Sequence, residues 1–435
     1  MKGLLQMNNW HLFEEYVKTL MAQEKIPGVA VAVSENGNVI YEQGFGLSNL
    51  ETNEKITPDT IFGIASITKS FTALAIMKLV ENGQIQLNDS VNKYLPAFQL
   101  KDYDMIEDIQ IHHLLSHTSG IPTITRKEEI ESFTDHLKYL SELTLKPIGA
   151  PGEYICYNND LFLLLGAIIE KVTGENYKEF IRKEIFIPQN MERTTFQLDE
   201  LKQFDNVTTP YIIEGNERLE CAWPTLGNYA VGGGIRSTVK DLLKYGSIYV
   251  DKENNFASKM AIPVHEIHGL SSYGYALQVT PNYTGVTLVE HGGSQPGVSS
   301  NFGFIPEKGL VIAVLTNITN VSADKIWLAA ANAMLRIPIN GKKYIEPHDY
   351  MKENELSKFV GTYTTGEGEK VDIRFVIGQL QATVDGKNYM LRASNKKTLV
   401  MTPIEKPMRF FFDENEETWA LLLGLRMFIK EGEVR

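Results

Sequence analysis

Ser66-Ile67-Thr68-Lys69 stands where a run of small and apolar residues gives way to a strongly helical stretch, and it sets a hydroxyl one turn from an amine. Between Ile61 and Gly83 the apolar residues Ile67, Phe71, Leu74, Ala75 and Met77 to Val80 recur near helical spacing, and Gly83 is a plausible stop. Residues three apart share a helix face with Cβ atoms roughly 5–6 Å apart, so Lys69 can reach back to Ser66. A serine hydroxyl is a poor nucleophile until a base takes its proton, and a lysine serves only when burial or nearby cations lower its pKa. The unpaired N–H groups at a helix start can also hold the oxyanion formed when serine attacks a carbonyl. Alone, the pair also fits a helix cap followed by a surface lysine.

Two further patterns follow in order. Tyr157-Asn158-Asn159 comes after Pro151-Gly152 and before the apolar run Leu161 to Ile169, on a loop leading into a helix. His291-Gly292-Gly293 closes the strand-like stretch Val286 to Glu290 and precedes Ser294. Together these residues resemble the motifs of the serine β-lactamase and penicillin-binding-protein superfamily. The likeness is strongest to its class C β-lactamase-like branch, with its D-aminopeptidase, D,D-carboxypeptidase and carboxylesterase members. The segments His113 to Gly120 and Val231 to Thr238 also resemble that branch, so the likeness spans roughly residues 10 to 335. It implies a serine hydrolase that works through an acyl-enzyme on D-amino-acid peptides or amides, small esters or, weakly, β-lactams, with no cofactor. Ser66 would be the nucleophile, with Lys69 and Tyr157 both open as the base. Asn159 would hold Lys69 and a substrate amide, and His291, Gly292, Gly293 and Ser294 would form the strand edge facing Ser66. The backbone N–H of Ser294 would be the second oxyanion donor.

The third motif departs from the family pattern: His291 and Gly292 stand where β-lactamases usually carry lysine and threonine. A histidine with an ordinary pKa near 6.5 is mostly neutral at pH 7.5. The sequence therefore predicts a weaker pull on a substrate carboxylate, worth about one to two orders of magnitude in efficiency on β-lactams.

Stepping along the chain, Asn9 to Gln23 reads as an amphipathic helix, and Gly28 to Ser34 and Asn38 to Phe45 as strands joined by an Asn36-Gly37 hairpin. Val286 to Glu290, Ser300 to Ile305 and Leu310 to Leu315 read as strands, and Ala323 to Leu335 as a helix. With the resemblance, the expected fold is α/β: a β-lactamase/transpeptidase-like antiparallel sheet flanked by helices, with a helical insertion. Ile337 to Glu355 is charged and carries Pro338, Gly341 and Pro347. We expect a hydrolase unit over 1–340, a linker over 341–355 and a small all-β unit over 356–435. There, Val371 to Val376 alternates, Asp385-Gly386 gives a turn, and apolar segments recur at barrel-like spacing. Phe359 to Tyr363 resembles the opening of a lipocalin-like domain, which would cover the site, mediate homo-oligomerisation or simply add stability.

A net charge of −12 argues against nucleic-acid partners, and the expected partner is a small molecule or short peptide. Cys156 and Cys221 suit no disulfide framework. The polar residues of 1–20 break any signal-like run and nothing approaches a membrane span, so a cytoplasmic protein without a membrane partner is expected. His112, His113 and His117 lack companions for a metal set, and His265-Glu266-Ile267-His268 misses zincin spacing. Gly232-Gly233-Gly234 lacks the Lys-Ser/Thr of a phosphate loop and reads as structural. The competing reading is a non-catalytic penicillin sensor or assembly protein that keeps the fold.

Overall fold

In the computed structural model, which describes residues 2–251 and 255–432, the strands at the two ends of the expected hydrolase unit meet in one antiparallel sheet. Its spatial order is Glu54–Lys55, Asn38–Asn49, Gly28–Glu35, Leu310–Thr316, Val298–Ile305, Val286–Gln295, Gln278–Tyr283, Ser271–Tyr273 and His265–His268. Asn36 and Gly37 both adopt positive φ, the geometry that lets a two-residue turn match strand twist, and the first hairpin forms as expected.

The central strands are buried on both faces, and their alternation sorts two cores. Val29, Val31, Val33, Ile312 and Val314 face the helices Lys2–Glu24 and Ala323–Leu335, where they meet Phe13, Val17, Ile326 and Trp327. Ala30, Ala32, Ala313 and Leu315 face the helical insertion, whose core includes Phe71, Leu74, Leu164 and Tyr245. Each fully buried Val, Leu or Phe contributes about 1.5–3 kcal/mol, so this face anchors the helix that follows Ser66.

That helix runs Thr68–Glu81 and stops before Gly83, whose φ is +71°. The helix expected over 161–169 is split in two, Asn159–Phe162 and Leu164–Thr173. Residues 341–352 carry no regular structure. Beyond them, eight strands from Gly361–Thr364 to Arg426–Lys430 close into a barrel around Phe359, Tyr363, Ile373, Leu399 and Phe410. Residues 433–435 of the expected C-terminal unit lie outside the described residues. The barrel is not loosely tethered: its outer residues Trp419, Ala420, Leu422 and Met427 share an apolar cluster with Ile148, Ile155, Cys156, Ile267 and Tyr273. Among the described residues no helix is long and apolar enough to cross a membrane.

Candidate active site

Ser66 sits in a single 3₁₀ turn, Ala65–Ile67, that runs directly into the helix carrying Lys69. Ala65, just before it, has φ +47°, a left-handed conformation that costs a non-glycine residue about 1–2 kcal/mol and is held only by its surroundings. Those surroundings are visible. Ser300 Oγ donates to the Ile64 carbonyl (2.8 Å), and Ile64 N donates to the Ile235 carbonyl (3.0 Å). A Cβ on Gly293 would stand 2.5 Å from the Ile64 oxygen and 3.0 Å from the Ala65 Cβ, so only glycine lets the strand Val286–Gln295 lie this close to the Ser66 turn.

Lys69 is buried, with 1% of its surface exposed. Its Nζ lies 3.4 Å from Ser66 Oγ and donates to the Gly232 carbonyl at 3.0 Å. The amine also lies over the rings of Tyr157 (4.9 Å) and Phe162 (5.4 Å). Burial first, then the charges of Arg126 and Arg426, push its pKa well below the usual lysine value. The glycine triplet thus has a second role beyond the structural one expected: Gly232 supplies an acceptor, and a Cβ there would stand 2.7 Å from Nζ.

Tyr157 shares a hydrogen bond with Ser66, and burial pushes its pKa up to about 12. Its ring packs on His117 at 4.1 Å, and its backbone N–H donates to the Leu425 carbonyl of the barrel (3.0 Å). Asn158 caps the next helix through Leu161 N (2.9 Å) and donates to the Pro122 carbonyl (2.6 Å), which leaves Asn159 on the cavity side. Asn159 lines the cavity, while the hydrogen bonds of Lys69 go to Ser66 and Gly232.

The third motif divides. Ser294 lines the cavity, whereas His291, Gly292 and Gly293 are not part of its lining. His291 is 5% exposed, its Nδ1 is 2.6 Å from the Gly292 carbonyl and its Nε2 is 3.0 Å from the Tyr273 hydroxyl. A carbonyl only accepts, so Nδ1 carries the proton and Nε2 accepts from Tyr273. Burial, then the charge of Lys69, lowers the His291 pKa to about 3. The imidazole is neutral as the sequence suggests, but it turns toward Tyr273 rather than toward a ligand.

Five residues that sequence reasoning passed over complete the cavity, which encloses about 70 Å³: Arg126, Leu226, Tyr229, Gln295 and Arg426. Arg126 comes from the irregular segment 121–132, and Arg426 opens the last barrel strand, Arg426–Lys430, just after the turn at Gly424-Leu425. The only advance signal for Arg426 was the barrel itself, which the sequence places near the site only as a possible cover.

The arrangement couples a desolvated amine to a serine hydroxyl beside an exposed strand edge, the layout of a serine acyl-transfer site within a β-lactamase fold. The chain belongs to the Beta-lactamase family, whose sequence profile matches residues 13–335. Protein flp of Staphylococcus aureus is 30% identical in a 319-residue alignment that covers 69% of this chain and only 61% of that relative's length. Penicillin-binding protein 4* of Bacillus subtilis is 25% identical over 94% of this chain and 92% of its own. Among solved structures, the octameric penicillin-binding protein homologue from Pyrococcus abyssi superposes with a TM-score of 0.71 and 30% identity, over 97% of this chain and 99% of that one.

Proposed function

We propose that the chain is a serine hydrolase that acylates Ser66 with amide or ester substrates: D-amino-acid peptides or amides, small esters and, less efficiently, β-lactams. The observation that carries this reading is the buried Lys69 amine, depressed in pKa, 3.4 Å from Ser66 Oγ. Of the two candidate bases the electrostatics favour Lys69, because a phenol with a pKa near 12 keeps its proton at neutral pH.

In the first step Ser66 Oγ bonds to the substrate carbonyl carbon as its proton passes to Lys69 Nζ. The carbonyl π pair moves onto oxygen, where the backbone N–H groups of Ser66 and Ser294 receive it. Collapse breaks the bond to the leaving nitrogen or oxygen, which takes a proton from Lys69 directly or across the Tyr157 hydroxyl. Water then repeats the sequence on the ester of Ser66 and frees the acid. Asn159 positions the substrate amide from the cavity wall.

A turnover screen with nitrocefin, p-nitrophenyl acetate and D-alanine p-nitroanilide tests the reading, with Ser66→Ala as control. Turnover that the control lacks supports the hydrolase; stable acylation without turnover would instead favour a penicillin sensor. Self-association is part of the proposal too, resting on the octameric homologue, and light scattering on the purified chain checks it.

A further inference from the structure

The Ser66 cavity holds more positive charge than its chemistry uses. Arg126 and Arg426 both line it, and no residue in its lining is acidic. Their ion-pair partners are Glu128 (2.7 Å) and Glu367, neither of which is part of that lining. A guanidinium presents five N–H donors in a rigid fork, and a single carboxylate contact leaves several for a ligand. Both forks are pre-oriented, Arg126 over the Tyr229 ring at 4.7 Å and Arg426 over the Tyr157 ring at 5.3 Å. Stacking of this kind removes rotamer freedom before a ligand arrives, so less is lost on binding.

The barrel fixes both. Its turn over 365–369 meets the segment that carries Arg126: Gly366 N donates to Thr123 Oγ1 (3.0 Å), and Thr125 Oγ1 donates to the Gly366 carbonyl (2.9 Å). Glu367, on the same turn, holds Arg426, and Leu425 accepts from the backbone of Tyr157. Two barrel turns therefore hold two guanidinium groups in the lining of the cavity that also contains Ser66.

We propose that Arg426 and Arg126 form a subsite for a carboxylate on the substrate, the free C-terminal carboxylate of a short peptide whose scissile carbonyl lies at Ser66. The proposal rests on reading that cavity as the acyl-transfer site. It assigns to the barrel the charge that the third motif lacks at His291, and it reverses the expectation from sequence that a carboxylate would be poorly held.

The test is binding rather than turnover. In the Ser66→Ala chain, calorimetry compares N-acetyl-D-alanyl-D-alanine with its C-terminal carboxamide. Charge-assisted hydrogen bonds of this kind favour the carboxylate by roughly 10–100-fold. Adding Arg426→Gln abolishes the preference, and adding Arg426→Lys retains part of it, since an ammonium keeps the charge without the fork. If Arg426→Gln melts early, Arg126→Gln in the same background carries the same comparison. Equal affinity for the two peptides before any arginine is changed, binding of neither, or a preference that survives both glutamine variants overturns the proposal. Failure of the hydrolase reading shows separately, as absent turnover with Ser66 in place, and does not alter this binding result.

Discussion

The two walls of the Ser66 cavity are built on different physical terms. On one side, Ser66 and Lys69 are held by the sheet and the insertion: Ile67 and Phe71 are fully buried, Phe71 stacks on Tyr245 at 3.6 Å, and Thr72 Oγ1 donates to the Val231 carbonyl at 2.7 Å. On the other, the side chains of Arg126 and Arg426 remain 35% and 28% exposed and are tied to the exposed Glu128 and the half-buried Glu367. Proton transfer from serine to lysine needs an amine stripped of water. Recognition needs charge that a ligand can still reach. One wall gains its property from dryness and the other from partial hydration, so the two should respond differently to substitution.

The largest effect is expected on the dry wall. Lys69→Met replaces a desolvated amine with an apolar chain of similar length, so acylation falls by roughly 10²–10⁴-fold while the melting temperature holds or rises. Burst kinetics and a thermal melt read the two together. A variant that loses stability in step with activity would show that the lysine is charged and structural.

Two glycines sharpen the contrast. Gly293→Ala drives a Cβ against the Ile64 carbonyl and the Ser300 hydroxyl, and should cost about 1–3 kcal/mol and depress kcat on every substrate. Gly366→Ala, whose Cβ would stand 1.9 Å from the Thr123 oxygen, loosens the barrel turn instead. It should shift substrate preference more than it shifts kcat on a neutral ester, as steady-state comparison of charged and neutral substrates will show.

The walls also communicate through charge. Arg426 helps depress the Lys69 pKa, although burial is the larger cause. Under the proposed mechanism Lys69 acts deprotonated, so kcat/KM is expected to rise as pH passes upward through that depressed value. Removing the Arg426 charge raises it and moves the acid limb of the profile to higher pH. A limb unmoved in Arg426→Gln would mean that the barrel does not reach the base electrostatically.

How much of this could be read from the chain alone follows from range. Ser66 and Lys69, the Asn36-Gly37 and Asp385-Gly386 turns and the helix Ala323–Leu335 are local patterns, and each appears where its spacing puts it. The roles of Gly232 and Arg426 depend on approaches across 163 residues, for the Lys69 bond to Gly232, or on barrel docking, and no local period encodes either. His291 is instructive in a third way. Its neutrality was legible from residue type, but its direction is set by Tyr273 on a strand two positions away in the sheet.

The smallest effect concerns acid stability. Burial lowers the pKa of His113 and His268 to about 4 and of His291 to about 3. Between those values and the unfolded value of 6.5 the unfolded chain binds more protons, so the contribution of neutral burial is complete above pH 6.5 and is lost as pH falls toward 3. Denaturant midpoints measured from pH 7 to pH 4 should therefore decline. His291→Gln, able to keep a hydrogen bond to Tyr273, should flatten part of that decline while His113, His268 and His117, also lowered by burial, sustain the rest.

The central claim, that Ser66 is the acylated residue and that Lys69 activates it, is tested most directly by intact mass spectrometry after exposure to a fluorophosphonate, followed by peptide mapping. The account predicts one adduct per chain, on Ser66, forming fast at pH 8 and slowed by at least about 10²-fold in Lys69→Met. An adduct on another serine, or undiminished labelling of Ser66 without the lysine amine, would contradict it.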